Sequence, residues 1–442
     1  MSEPCRDERV VRLLGGVLLL IGSVQAAAYP IDGYPQTGIR RLEYYRLAAQ
    51  GEIEGKELYR GALQPLAEVR PRLVGQWMAA WPAPDSAVSA RLATLPASEP
   101  HNYGIALLDL TDPAQPVYAE HNGGFRDNVG SVGKLMVALS LFQCLADIYP
   151  DDIEARRRVL RDTWIVADDY IERDHHPVPF FNRESRLWKK RALRLGDGAS
   201  LYEYLDWMLS ASSNAAAAMV QKQVLLLAHF GRDYPVSAAR AAAWLSVTPK
   251  KELGERFQHL MTAPLVAHGF DTQQLRQGSF FTRRGQQRVP GTTSYGTPRQ
   301  LIRYLYLLET GRLVDDFSST EIKRMLYMTE RRIRYASHPA LYPDAVYFKS
   351  GSLYACVPEE GLRCGKYMGN KRNLLASVAM IEAPAGERRF HYLVVVQSNV
   401  LRVNSAVAHQ TLGLRVQRLV EALHPELATA IPPNATWEAP VE

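Results

Sequence analysis

The chain has 442 residues, 47% of them apolar and 22% charged, with a formal net charge of +6 at pH 7. At roughly 150 residues per domain, the length allows two or three domains and a sizeable core. This balance excludes a disordered, collagen-like or disulfide-scaffold protein. The basic charge reads as spread along the chain, its tightest group being the three arginines between Arg331 and Arg334, so nucleic acid is not an expected partner.

In chain order, the first feature is the apolar run from Leu13 to Val24. Twelve residues make a helix of about 18 Å, too short for a hydrocarbon core of about 30 Å. The small residues Ala26-Ala27-Ala28 follow it, the pattern of a signal-peptidase site. No cysteine stands after the run where a lipid anchor would need one. These features predict export to the periplasm or medium, with residues 1–28 removed and no stable membrane anchor left. Residues 29–98, rich in Tyr, Arg and Pro, read as a leader segment with no assignable chemistry.

A strand pair comes next, Tyr103 to Leu110 and Val117 to Glu120, joined by the turn Thr111-Asp-Pro-Ala-Gln-Pro. From Ser131 to Tyr149 the chain is apolar and helix-favouring, and Pro150 stops it. A mostly helical middle is expected from about 153 to 330, its last helix opening at Thr297-Pro298. Three strand-like runs follow, Ala345–Tyr354, Leu374–Ile381 and Phe390–Val400, before a closing helix from Ser405 to Leu423. Strands first, helices in the middle and strands last is an α+β order, with the terminal strands free to complete one antiparallel sheet. Residues 425–442 read as a tail.

In an exported protein the cysteines become interpretable. Cys356 and Cys364 bracket a turn-like stretch between two strand-like runs, and a disulfide between them is expected. A metal pair is disfavoured because no His lies nearby. Cys144 falls in an apolar helical stretch and reads as a buried thiol. Asp174-His175-His176 is weak as a metal site, because adjacent side chains on an extended stretch point to opposite faces. No metal or cofactor is expected.

Three short patterns carry chemistry. Ser131-Val-Gly-Lys134 puts a hydroxyl and an amine on one face at the start of a helix, where the dipole favours a developing alkoxide. Apolar surroundings would press Lys134 toward its neutral form, making it a usable base. Ser212-Ser-Asn214 lies at the join of two helical runs, where polar residues also serve as helix caps. Lys349-Ser350-Gly351 lies within a strand-like run, where a glycine marks a close backbone or ligand approach.

Each pattern occurs once, in the order Ser-x-x-Lys, Ser-x-Asn, Lys-Ser-Gly. In this the chain resembles the penicillin-recognising serine enzymes, the serine β-lactamases and penicillin-binding D,D-peptidases, and above all the class A β-lactamases. The run Asp197-Gly-Ala-Ser-Leu-Tyr-Glu-Tyr-Leu and the stretch Gly291-Thr-Thr-Ser-Tyr-Gly-Thr-Pro extend the likeness, which covers residues from about 100 to 424. It implies a catalytic domain over 99–424 with the α+β, β-lactamase/transpeptidase-like fold, its antiparallel sheet packed against a mostly helical lobe.

The resemblance also implies roles. Ser131 would be the nucleophile, Lys134 the acylation base and Ser212 the proton relay to the leaving nitrogen. Asn214 would bind Lys134 and substrate. Lys349 and Ser350 would meet the substrate carboxylate, beside Gly351. The N–H groups of Ser131 and Ser352 would form the oxyanion hole. The expected partner is a β-lactam or a peptidoglycan stem peptide.

One element of the class A pattern is missing. The Glu of Glu-x-x-Leu-Asn activates the deacylating water in that family, and this chain has no Leu-Asn dipeptide. Slow deacylation is therefore expected, with Asp271 or Glu255 as candidate replacements. The leading reading is an exported serine hydrolase acylated at Ser131. A D,D-carboxypeptidase or endopeptidase, and a non-catalytic β-lactam or cell-wall sensor, stand as alternatives.

Overall fold

The computed structural model describes residues 32–55, 58–329 and 332–428. The apolar run at Leu13–Val24, the cleavage site near Ala28 and the tail beyond 428 lie outside the described residues.

Nine strands occur among them. The N-terminal pair is β1 (Tyr103–Asp109) and β2 (Val117–His121). Four short strands interrupt the middle of the chain, β3 (Trp164–Val166), β4 (Val178–Phe181), β5 (Trp188–Arg191) and β6 (Gly198–Ser200). The last three are β7 (Ala345–Ala355), β8 (Arg372–Ala383) and β9 (Phe390–Asn399). A five-stranded antiparallel sheet has the order β2-β1-β9-β8-β7, so the N-terminal hairpin docks on the C-terminal strands as expected. The middle is not wholly helical: β3 pairs with β6 and β4 with β5 in two small ladders. Runs of three or four residues are too short for their alternation to register against flanking helical pattern.

Both faces of the sheet are covered, which explains the near-continuous apolar composition of β8 and β9. Ala376, Val378 and Met380 face the helical lobe, while Ala379 and Ile381 face the closing helix (Ser405–Glu421) through Leu412, Val416 and Val420. In the lobe, the helix Lys134–Ile148 is buried over most of its length. With the turn before it, this 19-residue stretch is long and apolar enough to cross a membrane, and here it is a core helix. Cys144 lies on it as a buried free thiol, pushed by burial to about 12. Thr297 caps the helix Pro298–Glu309 by accepting from the Gln300 N–H, and Pro298 occupies its first turn. Cys356 and Cys364 form the expected disulfide in the β7–β8 connection, with Cα atoms 5.8 Å apart.

The leader packs into the same core. Ile39, Leu42, Val69 and Leu73 join the main apolar cluster. Arg41 is buried and donates to both oxygens of Asp206 (2.6 and 2.7 Å) and to the Met328 carbonyl (2.8 Å). A second buried network lies between the leader, two helices and the sheet. Lys323, on the helix Asp316–Tyr327, places Nζ 2.7 Å from Glu309 and 2.9 Å from Glu382. It also donates to the Arg70 carbonyl. Arg72 pairs with Glu382 (2.9 Å), and the His391 ring lies 3.4 Å from Glu309. The Lys323 ammonium thus stands between the carboxylates, where a bound cation would otherwise sit.

Removing one partner of such a network leaves a buried charge uncompensated. Lys323→Met should lower unfolding free energy by about 3–5 kcal/mol, read as a shift of the urea midpoint with an unchanged m value.

Candidate active site

A cavity of about 330 Å³ opens where the helical lobe meets the edge strand β7. Ser131, Ser212, Asn214, Lys349, Ser350, Gly351 and Ser352 all line it. The three motifs, spread over more than 200 positions of the chain, therefore share one site.

Ser131 lies in a 3₁₀ turn, Gly130–Gly133, and the α-helix starts at Lys134. The expectation that Ser131 opens the α-helix is thus displaced by one turn. The tighter winding still brings Lys134 Nζ to 2.9 Å from Ser131 Oγ. The other neighbours of Nζ are the Ser212 carbonyl (2.7 Å) and Asn214 Oδ1 (2.8 Å). Lys134 is fully buried, with the Phe281 ring 4.8 Å from its amine. Burial pulls its pKa down to about 7, and the Asp174 carboxylate opposes the shift. Two fixed acceptors and one hydroxyl suit a neutral amine. In the neutral form two hydrogens go to the Ser212 carbonyl and Asn214 Oδ1, which leaves the lone pair for the Ser131 O–H.

The Ser212-Ser213-Asn214 turn joins the helices Leu201–Leu209 and Asn214–Phe230. Capping and site roles are divided between its residues. Ser213 Oγ caps the second helix at the Ala216 N–H (3.1 Å), while Ser212 and Asn214 face the cavity. Ser212 has φ +63, a left-handed conformation uncommon outside glycine, and this aims its hydroxyl at Lys349. Lys349 Nζ donates to Ser212 Oγ and to the Ser350 carbonyl, each at 2.8 Å. Ser131, Lys134, Ser212 and Lys349 are thereby linked in one polar chain.

Gly351 is explained by backbone proximity. A Cβ there would lie 2.0 Å from the Val129 carbonyl and 2.5 Å from the Ser131 N. Only glycine lets β7 approach the turn that carries Ser131. Ser350 and Ser352, two apart and hence on one face of β7, both accept from Arg334, at 3.0 Å each.

Arg334 escaped the sequence reading as a site residue, although the cluster containing it was visible. It enters from a 3₁₀ turn (Arg334–Ser337) that packs on the closing helix. Gly413 permits that packing, since a Cβ there would lie 2.4 Å from the Tyr335 carbonyl. His176 was also missed. It lines the cavity with its ring held by Asp174, whose other oxygen accepts from Ser213 Oγ and the Ala215 N–H, both at 2.8 Å. Burial would raise the Asp174 carboxyl, but the bonds from His176, Ala215 and Ser213 hold it well below the usual carboxylate range. Asp174 therefore braces the Ser-x-Asn turn.

The carboxylates expected to replace the missing Glu are elsewhere. Asp271 accepts from the Gln273 N–H and from Gln274 within its own loop, both at 2.8 Å. Glu255 is exposed on a helix opposite Lys251. Neither lines the cavity. Along the expected stretch the wall is formed instead by Gln277, Ser279, Phe280 and Phe281, and among the described residues no Asp or Glu lines the cavity.

No family model matches the chain. No curated protein matches it either. Among solved structures it is similar to a β-lactamase from Sphaerobacter thermophilus (TM-score 0.46, 16% identity, covering 79% of this chain and 97% of that one). It is also similar to PBP-A (TM-score 0.46, 12% identity, 78% and 98%). A third is a class A β-lactamase from Bacteroides cellulosilyticus (TM-score 0.43, 14% identity, 77% and 96%).

Gly351→Ala should force β7 away from the Ser131 turn. Labelling of Ser131 by a fluorophosphonate probe is expected to slow by about 100-fold, the scale of an ångström-sized misplacement, while thermal unfolding remains cooperative.

Proposed function

We propose that this protein is an exported serine hydrolase of the class A β-lactamase-like kind, acylated at Ser131 by β-lactams or related amides. The observation that carries the proposal is the buried Lys134 amine, within hydrogen-bond reach of both the Ser131 hydroxyl and Asn214. In this reading Ser131 Oγ attacks the carbonyl carbon and its proton passes to neutral Lys134. The N–H groups of Ser131 and Ser352 receive the oxyanion. As the C–N bond breaks, the leaving nitrogen takes the Ser212 proton, and the Lys349 ammonium, which donates to Ser212 Oγ at 2.8 Å, returns one to it, while Lys134 keeps the proton lost by Ser131. Lys349, Ser350 and Arg334 suit a substrate carboxylate.

A second reading has its own support. With no carboxylate among the described residues of the cavity wall to activate water, the acyl-enzyme should be long-lived. This favours a D,D-carboxypeptidase or endopeptidase acting on peptidoglycan stem peptides over an efficient β-lactamase.

Intact mass followed over time with benzylpenicillin separates these readings. The expected result is one penicilloyl adduct that forms on the wild type, is absent from Ser131→Ala, and persists for many minutes. No adduct on the wild type would overturn the acyl-enzyme proposal. Rapid loss of the adduct with turnover would restore the β-lactamase reading, and cleavage of D-Ala-D-Ala peptides would establish the peptidase. A persistent adduct without peptide cleavage would indicate a sensor.

The pH dependence has a definite sign. Lys134 is neutral above its lowered pKa of about 7, so the acylation rate constant should rise as pH increases through that value and then level off. A rate independent of pH across neutrality would remove Lys134 as the base.

A further inference from the structure

The basic charge that reads as diffuse along the sequence has a dense local group in one segment. Between residues 183 and 194 stand Arg183, Arg186, Lys189, Lys190, Arg191 and Arg194, against the single acidic residue Glu184. This segment is the tip and second strand of the β4–β5 hairpin and the turn beyond it. Arg191 pairs with Asp197 (2.6 Å), tying β5 to the turn that leads into β6. Arg186 faces Glu52 (3.5 Å). Lys189 and the Arg194 side chain are exposed, with no ion pair among the described residues.

Large exposed apolar side chains fall in the same part of the chain. Of the eleven among the described residues, four fall between 164 and 195: Trp164 (62% exposed), Val166 (53%), Leu187 (56%) and Leu195 (67%). Trp164 and Val166 project from one side of the β3–β6 ladder while Ile165 between them is buried. Gly198 leaves room for the indole, since a Cβ there would lie 2.6 Å from Trp164 Nε1. Leu195 sits in the turn continuing that ladder, where the Gly196 N–H donates to the Ala167 carbonyl. Single exposed hydrophobes are ordinary, but a cluster among cations marks an interaction surface.

We propose that this face, formed by β3, β6 and the β4–β5 hairpin, docks on the surface of an anionic lipid bilayer. An indole and aliphatic side chains enter the headgroup region, while flanking Lys and Arg reach lipid phosphates. A polyanion such as nucleic acid would use the cations but has no use for exposed Leu195 and Val166. The contact is peripheral and does not depend on the chemistry at Ser131.

The test is sedimentation of the protein with vesicles of phosphatidylcholine alone or mixed with phosphatidylglycerol, at low and high salt. Binding is expected only to the anionic vesicles, weakened by salt. Lys189→Glu with Arg194→Glu should lower partitioning at least about tenfold, and Trp164→Ser with Leu195→Ser should do the same. Both pairs are exposed, so thermal unfolding should match the wild type. The proposal fails if anionic vesicles do not bind the protein, if neutral vesicles bind it equally, or if either variant pair sediments like the wild type. It also fails if dextran sulfate is bound as tightly and the apolar pair has no effect, or if the apolar pair instead dissolves a dimer in size-exclusion chromatography.

Discussion

The site depends on one amine taken out of water. Lys134 has no exposure, and its hydrogen-bond partners come from its own turn and from the Ser-x-Asn turn. A charged ammonium there would forfeit its hydration, so burial pulls its pKa down to about 7. Several other features follow from satisfying that amine: the left-handed backbone of Ser212, the place of Asn214 at a helix start and the Asp174 brace behind it. The turn is held open toward the amine at some conformational cost, and the polar network around it compensates.

The same logic recurs in the scaffold. Lys323 and Arg72 neutralise Glu309 and Glu382 in an interior that would not tolerate either sign alone. The network joins the leader to β8 and to the helices Pro298–Glu309 and Asp316–Tyr327. With Arg41 on Asp206, it ties the leader to the core through Ile39, Leu42, Val69 and Leu73. Edge strand β7 is thereby backed by a rigid layer, and its free edge faces the cavity.

Much of this was legible because the signals are local. The hairpin of β1 and β2, strands β7 to β9 and the closing helix follow from periodicity and turn residues, and their ends fall within a few residues of expectation. The disulfide followed from the spacing of Cys356 and Cys364. The short ladders of β3 to β6 were not legible, since three or four residues hold too little alternation to outweigh helical neighbours. The concentration of charge on the β4–β5 hairpin was overlooked with them.

By itself the sequence marked out the polar motifs that meet in the cavity and their order: Ser131 with Lys134, Ser212 with Asn214, Lys349 with Ser350 and Gly351. Their spacing within each motif is short enough for local backbone geometry to act on. Tertiary structure alone decided what surrounds them. Arg334 reaches Ser350 and Ser352 only because Gly413 lets the closing helix approach its turn. Asp174 and His176 join the site only because the Asn214 helix begins beside them. Asp271 and Glu255 remain outside because their loop and helix carry them away from the cavity. These relations arise from close contacts between distant segments, and no short-range pattern in a sequence encodes them.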